Sequence, residues 1–127
     1  MPEMTKERPK HLALHEIRLP LAGFASILHR VSGAGLFLML PLLIWLFGLS
    51  LRSSESFEAF KATVGHPVVK LVLLGLLWAY LHHFCMGIRI LLIDIHIGVE
   101  KAPARASALA VLVVSLALTV ILGAKLW

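Results

Sequence analysis

Read for hydrophobic and polar positions, the chain falls into three long apolar stretches joined by short polar connections. The first runs from about Leu19 to Leu51, the second from about Val68 to Ile93, and the third from about Ala106 to Trp127. None alternates with the period of a barrel strand, and each has the length of a membrane helix. From Val31 to Leu51 there is no charge over about 21 residues, enough to cross ~30 Å of hydrocarbon at 1.5 Å per residue. The pattern predicts an all-α integral membrane protein with three transmembrane helices, about 21–51, 68–93 and 106–127, in a single domain spanning 1–127. Pro41 lies inside the first span, where a membrane helix tolerates it if neighbours satisfy the freed carbonyl. Arg52-Ser-Ser-Glu-Ser-Phe-Glu reads as a polar loop with a capping-type start. Gly98-Val-Glu-Lys-Ala-Pro-Ala-Arg reads as the second connection, with Pro103 stopping one helix before the next. The first stretch begins too far from Met1 and is too long for a cleaved signal peptide, so it is expected to be retained. There is no internal repeat and no low-complexity segment.

Composition agrees with this pattern. The 127 residues are 59% hydrophobic and 15% charged, whereas soluble domains average about 45–50% apolar and about 25% charged. Such a chain has too little polar surface for a soluble globule, a disordered tail or a disulfide-rich secreted module. The single Cys85 can form no intrachain bridge. A net charge of +5 invites a nucleic-acid reading, but the 12 Lys and Arg lie mostly outside the apolar runs, where membrane topology would put them. Nucleic acid is not an expected partner; the lipid bilayer is. Lys6, Arg8, Lys10 and Arg18 with Arg89, Lys101 and Arg105 make seven cations on one side, against Arg52, Lys61, Lys70 and Lys125, four on the other. This bias predicts a multi-pass protein with its N-terminus in the cytoplasm.

Polar residues inside the spans carry the candidate chemistry. Ser26, His29, Arg30, His82, His83, Arg89 and Asp94 all lie within or at the ends of apolar helices. An intramembrane arginine costs roughly 2.5–3.5 kcal/mol on insertion scales, which makes it a functional candidate by default. The plainer alternative is snorkelling of Arg30 and Arg89 to the headgroups, and a solvated helix end for Asp94. Ser26, Arg30 and Gly33 share one face at i, i+4 and i+7, with His29 one step round and Gly33 and Gly35 leaving space beside them. A flat, polar-edged ligand would fit there; so would a helix–helix contact built on small residues.

On the second span, adjacent His82 and His83 point about 100° apart and are poorly placed to share one metal. His83 is followed at i+4 by Gly87, which would leave bare helix surface for a porphyrin, whereas His82 is followed by Met86. The alternative for each is a hydrogen-bonded packing histidine. Depth is compatible with one cofactor touching both helices. His29 lies about 12 Å from the start of its helix and His83 about 10 Å from the end of its own. Imidazole suits haem iron, copper or zinc, but no cysteine pair supports zinc. Haem b fits better, with His83 as axial ligand and His29 and Arg30 as partners for propionates. The third span has no histidine, so a second axial ligand is expected from another chain.

Three segments carry a family resemblance: RPKHLALHEIRLP from Arg8 to Pro20, SILHRVSG from Ser26 to Gly33, and HFCMGIRILLID from His83 to Asp94. Together they resemble the cytochrome b subunits of succinate dehydrogenase (succinate:quinone oxidoreductase, respiratory complex II of the tricarboxylic acid cycle). The resemblance covers essentially the whole chain. It implies one of two small membrane anchors in a bacterial inner membrane, half of a heterodimeric haem-binding helix bundle. The partner anchor would supply the other haem ligand, with an iron–sulfur subunit and a flavoprotein subunit docked outside. It implies ubiquinone binding at Ser26 and Arg30, haem ligation by His83, propionate contacts at His29 and Arg30, and a proton path through Asp94. The chain alone would not act on succinate. One departure is Ile90, where many relatives carry histidine. The rival expectations are a haem-free structural anchor and a fumarate reductase anchor using menaquinone. A small transporter lacks the broken-helix pair that would support it.

Overall fold

The computed structural model describes residues 7–8, 10–11 and 13–127; Lys6 of the topology count, and Pro9 and Leu12 of the opening segment, lie outside it. The described residues form four helices: α1 (Leu21–Arg52), α2 (Ser54–Gly65), α3 (Pro67–Asp94) and α4 (Lys101–Leu126). Three of them, α1, α3 and α4, are long and apolar enough to cross a membrane.

The first connection is not a loop. Ser53 is extended, with φ −161° and ψ 169°, and it exchanges hydrogen bonds with Ser56 in a capping box. Ser56 N–H donates to Ser53 Oγ at 3.1 Å, and Ser53 N–H donates to Ser56 Oγ at 2.9 Å. That satisfies orphan donors at a helix start, so the polar run initiates α2. Pro67 then ends α2 and begins α3. A residue before proline is pushed out of the helical region, and His66 is extended at φ −68°, ψ 131°. Proline at the first helical position lacks only a donor that would be unsatisfied anyway.

The second connection is shorter than the sequence suggests, because α4 begins at Lys101 rather than near Ala106. Pro103 does not separate two helices; it is the third residue of α4, where no intrahelical partner for its nitrogen exists. The stop lies upstream. His96 has φ 64°, its N–H donates to Ile93 O at 2.9 Å, and Ile97 N–H donates to Leu92 O at 2.9 Å. This is a Schellman closure with histidine in the left-handed position usually held by glycine.

Helix α3 is central, packing against α1 on one side and α4 on the other. The core is small: Ala25, Met86, Ala108 and Val111, with Leu21, Ala22, Cys85 and Ile90 against it. Ile90, the departure from the family pattern, is therefore a packing residue. Only 6% of the most apolar stretch of α1 is buried within the chain. Phe37, Leu38, Leu71 and Val120 all face outward, so lipid or other chains must cover what the bundle leaves bare.

Candidate functional site

The two histidines that depth arithmetic put at one level are in contact. The rings of His29 on α1 and His83 on α3 stack with centroids 4.1 Å apart and planes 12° from parallel. His83 Nδ1 lies 3.0 Å from the backbone carbonyl of His29. A carbonyl only accepts, so Nδ1 carries the proton and donates it, and Nε2 keeps its lone pair. Ser32 Oγ donates to the same carbonyl at 2.9 Å and stands 3.3 Å from His83 Nδ1. Among the described residues Nε2 has no hydrogen-bond partner, and it is not one of the buried unpartnered polar atoms. His29 covers a face of the ring and leaves its Nε2 edge free.

Gly33 makes this geometry feasible. A Cβ there would stand 2.8 Å from Cε1 of His83 and 3.2 Å from Nδ1. The ring fills the groove that the missing side chain leaves. Gly35 and Gly87 have open space where a Cβ would be, so bare helix surface does adjoin His83. Ser26 is half-buried and Arg30 exposed on the same face of α1, and neither makes a side-chain hydrogen bond to another described residue. Asp94 is exposed at the end of α3, away from the histidine stack by the length of three turns.

His82 has a different environment. It is 0% exposed and stacked on Trp78 at 5.3 Å, and both its ring nitrogens are buried with no hydrogen-bond partner among the described residues. Arg89 does not snorkel. It is 7% exposed, and it donates from Nε to Ser107 Oγ at 2.9 Å and from Nη2 to Ala104 O at 3.1 Å. It ties α3 to the first turns of α4. Sequence reasoning singled out His83, His29 and Gly33 but not Ser32. The small Ser–Gly pair following His-Arg was the available signal for a close helix approach.

Comparison with known proteins gives the family. The profile of the succinate dehydrogenase/fumarate reductase transmembrane subunit family matches residues 4–122. The chain belongs to that family. It is 35% identical over 125 residues to the succinate dehydrogenase cytochrome b556 subunit of Coxiella burnetii, covering 98% of this chain and all of that protein. It is 31% identical over 114 residues to the protein of the same description from Paracoccus denitrificans, covering 90% of this chain and 88% of that one. The counterpart from Rickettsia felis is 29% identical over 120 residues, 94% of each chain. The family assignment agrees with the resemblance carried by the quoted motifs, and the described residues are all-helical with three candidate spans.

Proposed function

We propose that this subunit binds haem b through His83 and helps form a ubiquinone site at Ser26 and Arg30, in the inner membrane with its N-terminus cytoplasmic. The observation that carries the reading is the His83 Nδ1 hydrogen bond to the His29 carbonyl, which leaves Nε2 free. Axial histidines are held this way: the second nitrogen donates to a carbonyl and the first faces the metal. His83 Nε2 would hold the iron, and Gly87, four residues on, leaves open helix surface beside it for the macrocycle. Among the described residues no three His, Cys, Asp or Glu side chains gather to hold a metal, and His29 is stacked on the face of the His83 ring rather than set across a haem from it. The second ligand comes from a partner anchor, to which the exposed apolar surface of α1 is suited.

Bound haem would supply a one-electron carrier beside the quinone. This chain's residues do the rest. His29 and Arg30 supply polar and cationic groups for the propionates. Ser26 and Arg30, one turn apart, hydrogen-bond a quinone oxygen and stabilise negative charge as electrons arrive from an iron–sulfur subunit. Asp94, exposed at the helix end, can deliver protons from water toward the site. Succinate itself is oxidised on the flavoprotein subunit.

A reduced-minus-oxidised optical spectrum of the complex purified through this chain tests the reading. His83→Leu should abolish or alter the b-type signal. His82→Leu should keep it, because both nitrogens of His82 are sealed inside the bundle. Absence of haem from the wild-type complex would leave a structural anchor. An unchanged spectrum in His83→Leu would move the ligand elsewhere.

A further inference from the structure

A cavity of about 480 Å³ lies far from His29 and His83, at the end of the bundle where α1 and α4 finish and α3 starts. It is walled by α2, the first turns of α3 and the last turn of α4. Its floor is apolar, formed by Leu73, Leu74 and Leu77 of α3. Behind it α4 presses on α3 at Gly123, where a Cβ would stand 2.9 Å from Leu74 Cδ1.

The rim is cationic and aromatic: Lys61 from α2, Lys70 from α3 and Trp127 after α4. Lys70 is half-buried, with its ammonium 5.2 Å from the centre of the Trp127 ring. Among the described residues it pairs with no carboxylate; Lys61 pairs with Glu58 at 2.7 Å. Lysine beside tryptophan where an apolar span ends is the composition of a membrane interface. A free anion would neutralise the rim and leave the leucine floor against water. A neutral hydrocarbon would cover the floor and leave Lys70 without a counter-charge. An amphiphile with a phosphate at one end satisfies both.

We propose that this cavity is a binding site for an anionic phospholipid. The headgroup phosphate lies between Lys70 and Lys61, and one acyl chain runs over Leu73, Leu74 and Leu77. Basic pockets between membrane helices recognise such headgroups on the cytoplasmic side; with a cytoplasmic N-terminus this cavity opens on the opposite leaflet, where the same charge-assisted ammonium–phosphate bonds select the anionic headgroup. The lipid also supplies packing that the protein lacks, since α2 has no buried residue of its own.

The test uses the intact complex carrying this chain, exchanged into bilayers of phosphatidylglycerol and phosphatidylcholine in equal parts. Retained lipid is read by native mass spectrometry. The wild type should retain phosphatidylglycerol in clear excess. Lys70→Gln and Lys61→Gln should each reduce that preference by about fivefold, the equivalent of about 1 kcal/mol per basic residue at an anionic surface. Leu73→Trp, which fills the floor, should expel the lipid without disturbing the spectrum of the complex. Equal retention of the two lipids by the wild type, which needs no variant to fold, would overturn the proposal. So would displacement of the lipid by millimolar inorganic phosphate, which would make this a free-anion site, or an unchanged preference in the double variant Lys61→Gln/Lys70→Gln.

Discussion

An alanine at position 33 would place its Cβ 2.8 Å from Cε1 of His83 and 3.2 Å from Nδ1. Carbon atoms rest at about 3.5–4.0 Å, so the imidazole must retreat by roughly 0.7 Å or more. It has little freedom to do so. Its Nδ1 is bound to the His29 carbonyl at 3.0 Å, and its face is stacked on the His29 ring. The retreat would stretch that bond toward roughly 3.7 Å, beyond useful hydrogen-bond range. Overpacking of this kind costs about 1–3 kcal/mol, and losing the bond costs about 0.5–1.5 kcal/mol. Alanine's better helix propensity offsets about 1 kcal/mol of this. Loss of the group orienting a metal-bound histidine typically lowers metal affinity about 10- to 100-fold. The assay is haem titration of the assembled complex, read at the b-type band. Gly33→Ala should bind haem about 10- to 100-fold more weakly, by the same comparison. Gly35→Ala is the control, because nothing lies within 4 Å of its Cβ position. It should bind haem as the wild type does. Wild-type affinity and an unshifted band in Gly33→Ala would refute the close approach. Equal losses in both variants would show that the glycines serve general helix packing rather than the His83 ring.

Further outcomes follow from the same geometry. Arg30→Leu should slow quinone reduction while succinate oxidation by an artificial acceptor persists; equal loss of both activities would point to failed assembly instead. Arg89→Met removes the bonds to Ser107 and Ala104 O and should lower the stability of the complex by about 1–3 kcal/mol, seen as a reduced Tm in detergent. Ser53→Ala breaks the capping box and should cost α2 about 1 kcal/mol, read as faster amide exchange confined to Ser54–Gly65. An unchanged exchange rate there would mean that packing against α1 and α3, not the cap, holds α2.

Much of the fold was legible because it depends on quantities that run along one dimension. Apolar length sets a span, and a rise of 1.5 Å per residue sets depth, so His29 and His83 could be matched before any packing was known. Local rules did well where they were applied fully. Ser53 was a visible cap, yet a polar segment as short as Ser54–Gly65 read as loop because its few apolar residues make no continuous run. Pro103 misled for the opposite reason: proline suits a helix's first turn as well as its end, and sequence alone did not decide between them.

Rotation of each helix about its own axis was another matter. A helix that is apolar all round has no polar face to orient it in lipid, and neighbours choose the angle through small-residue contacts and hydrogen bonds. Adjacent His82 and His83 were distinguishable only by the residues that follow them. Packing sealed one beside Trp78 and set the other in the Gly33 groove, with a carbonyl binding its Nδ1 and leaving Nε2 free. Arg89 could have snorkelled, and it turned inward because Ser107 and the Ala104 carbonyl stood within reach on α4. The sequence by itself determined how many helices span the membrane, where along them the polar groups sit, and which family the chain resembles. The tertiary structure alone decided which of those groups meet, because that depends on the angular position of three nearly featureless cylinders against one another.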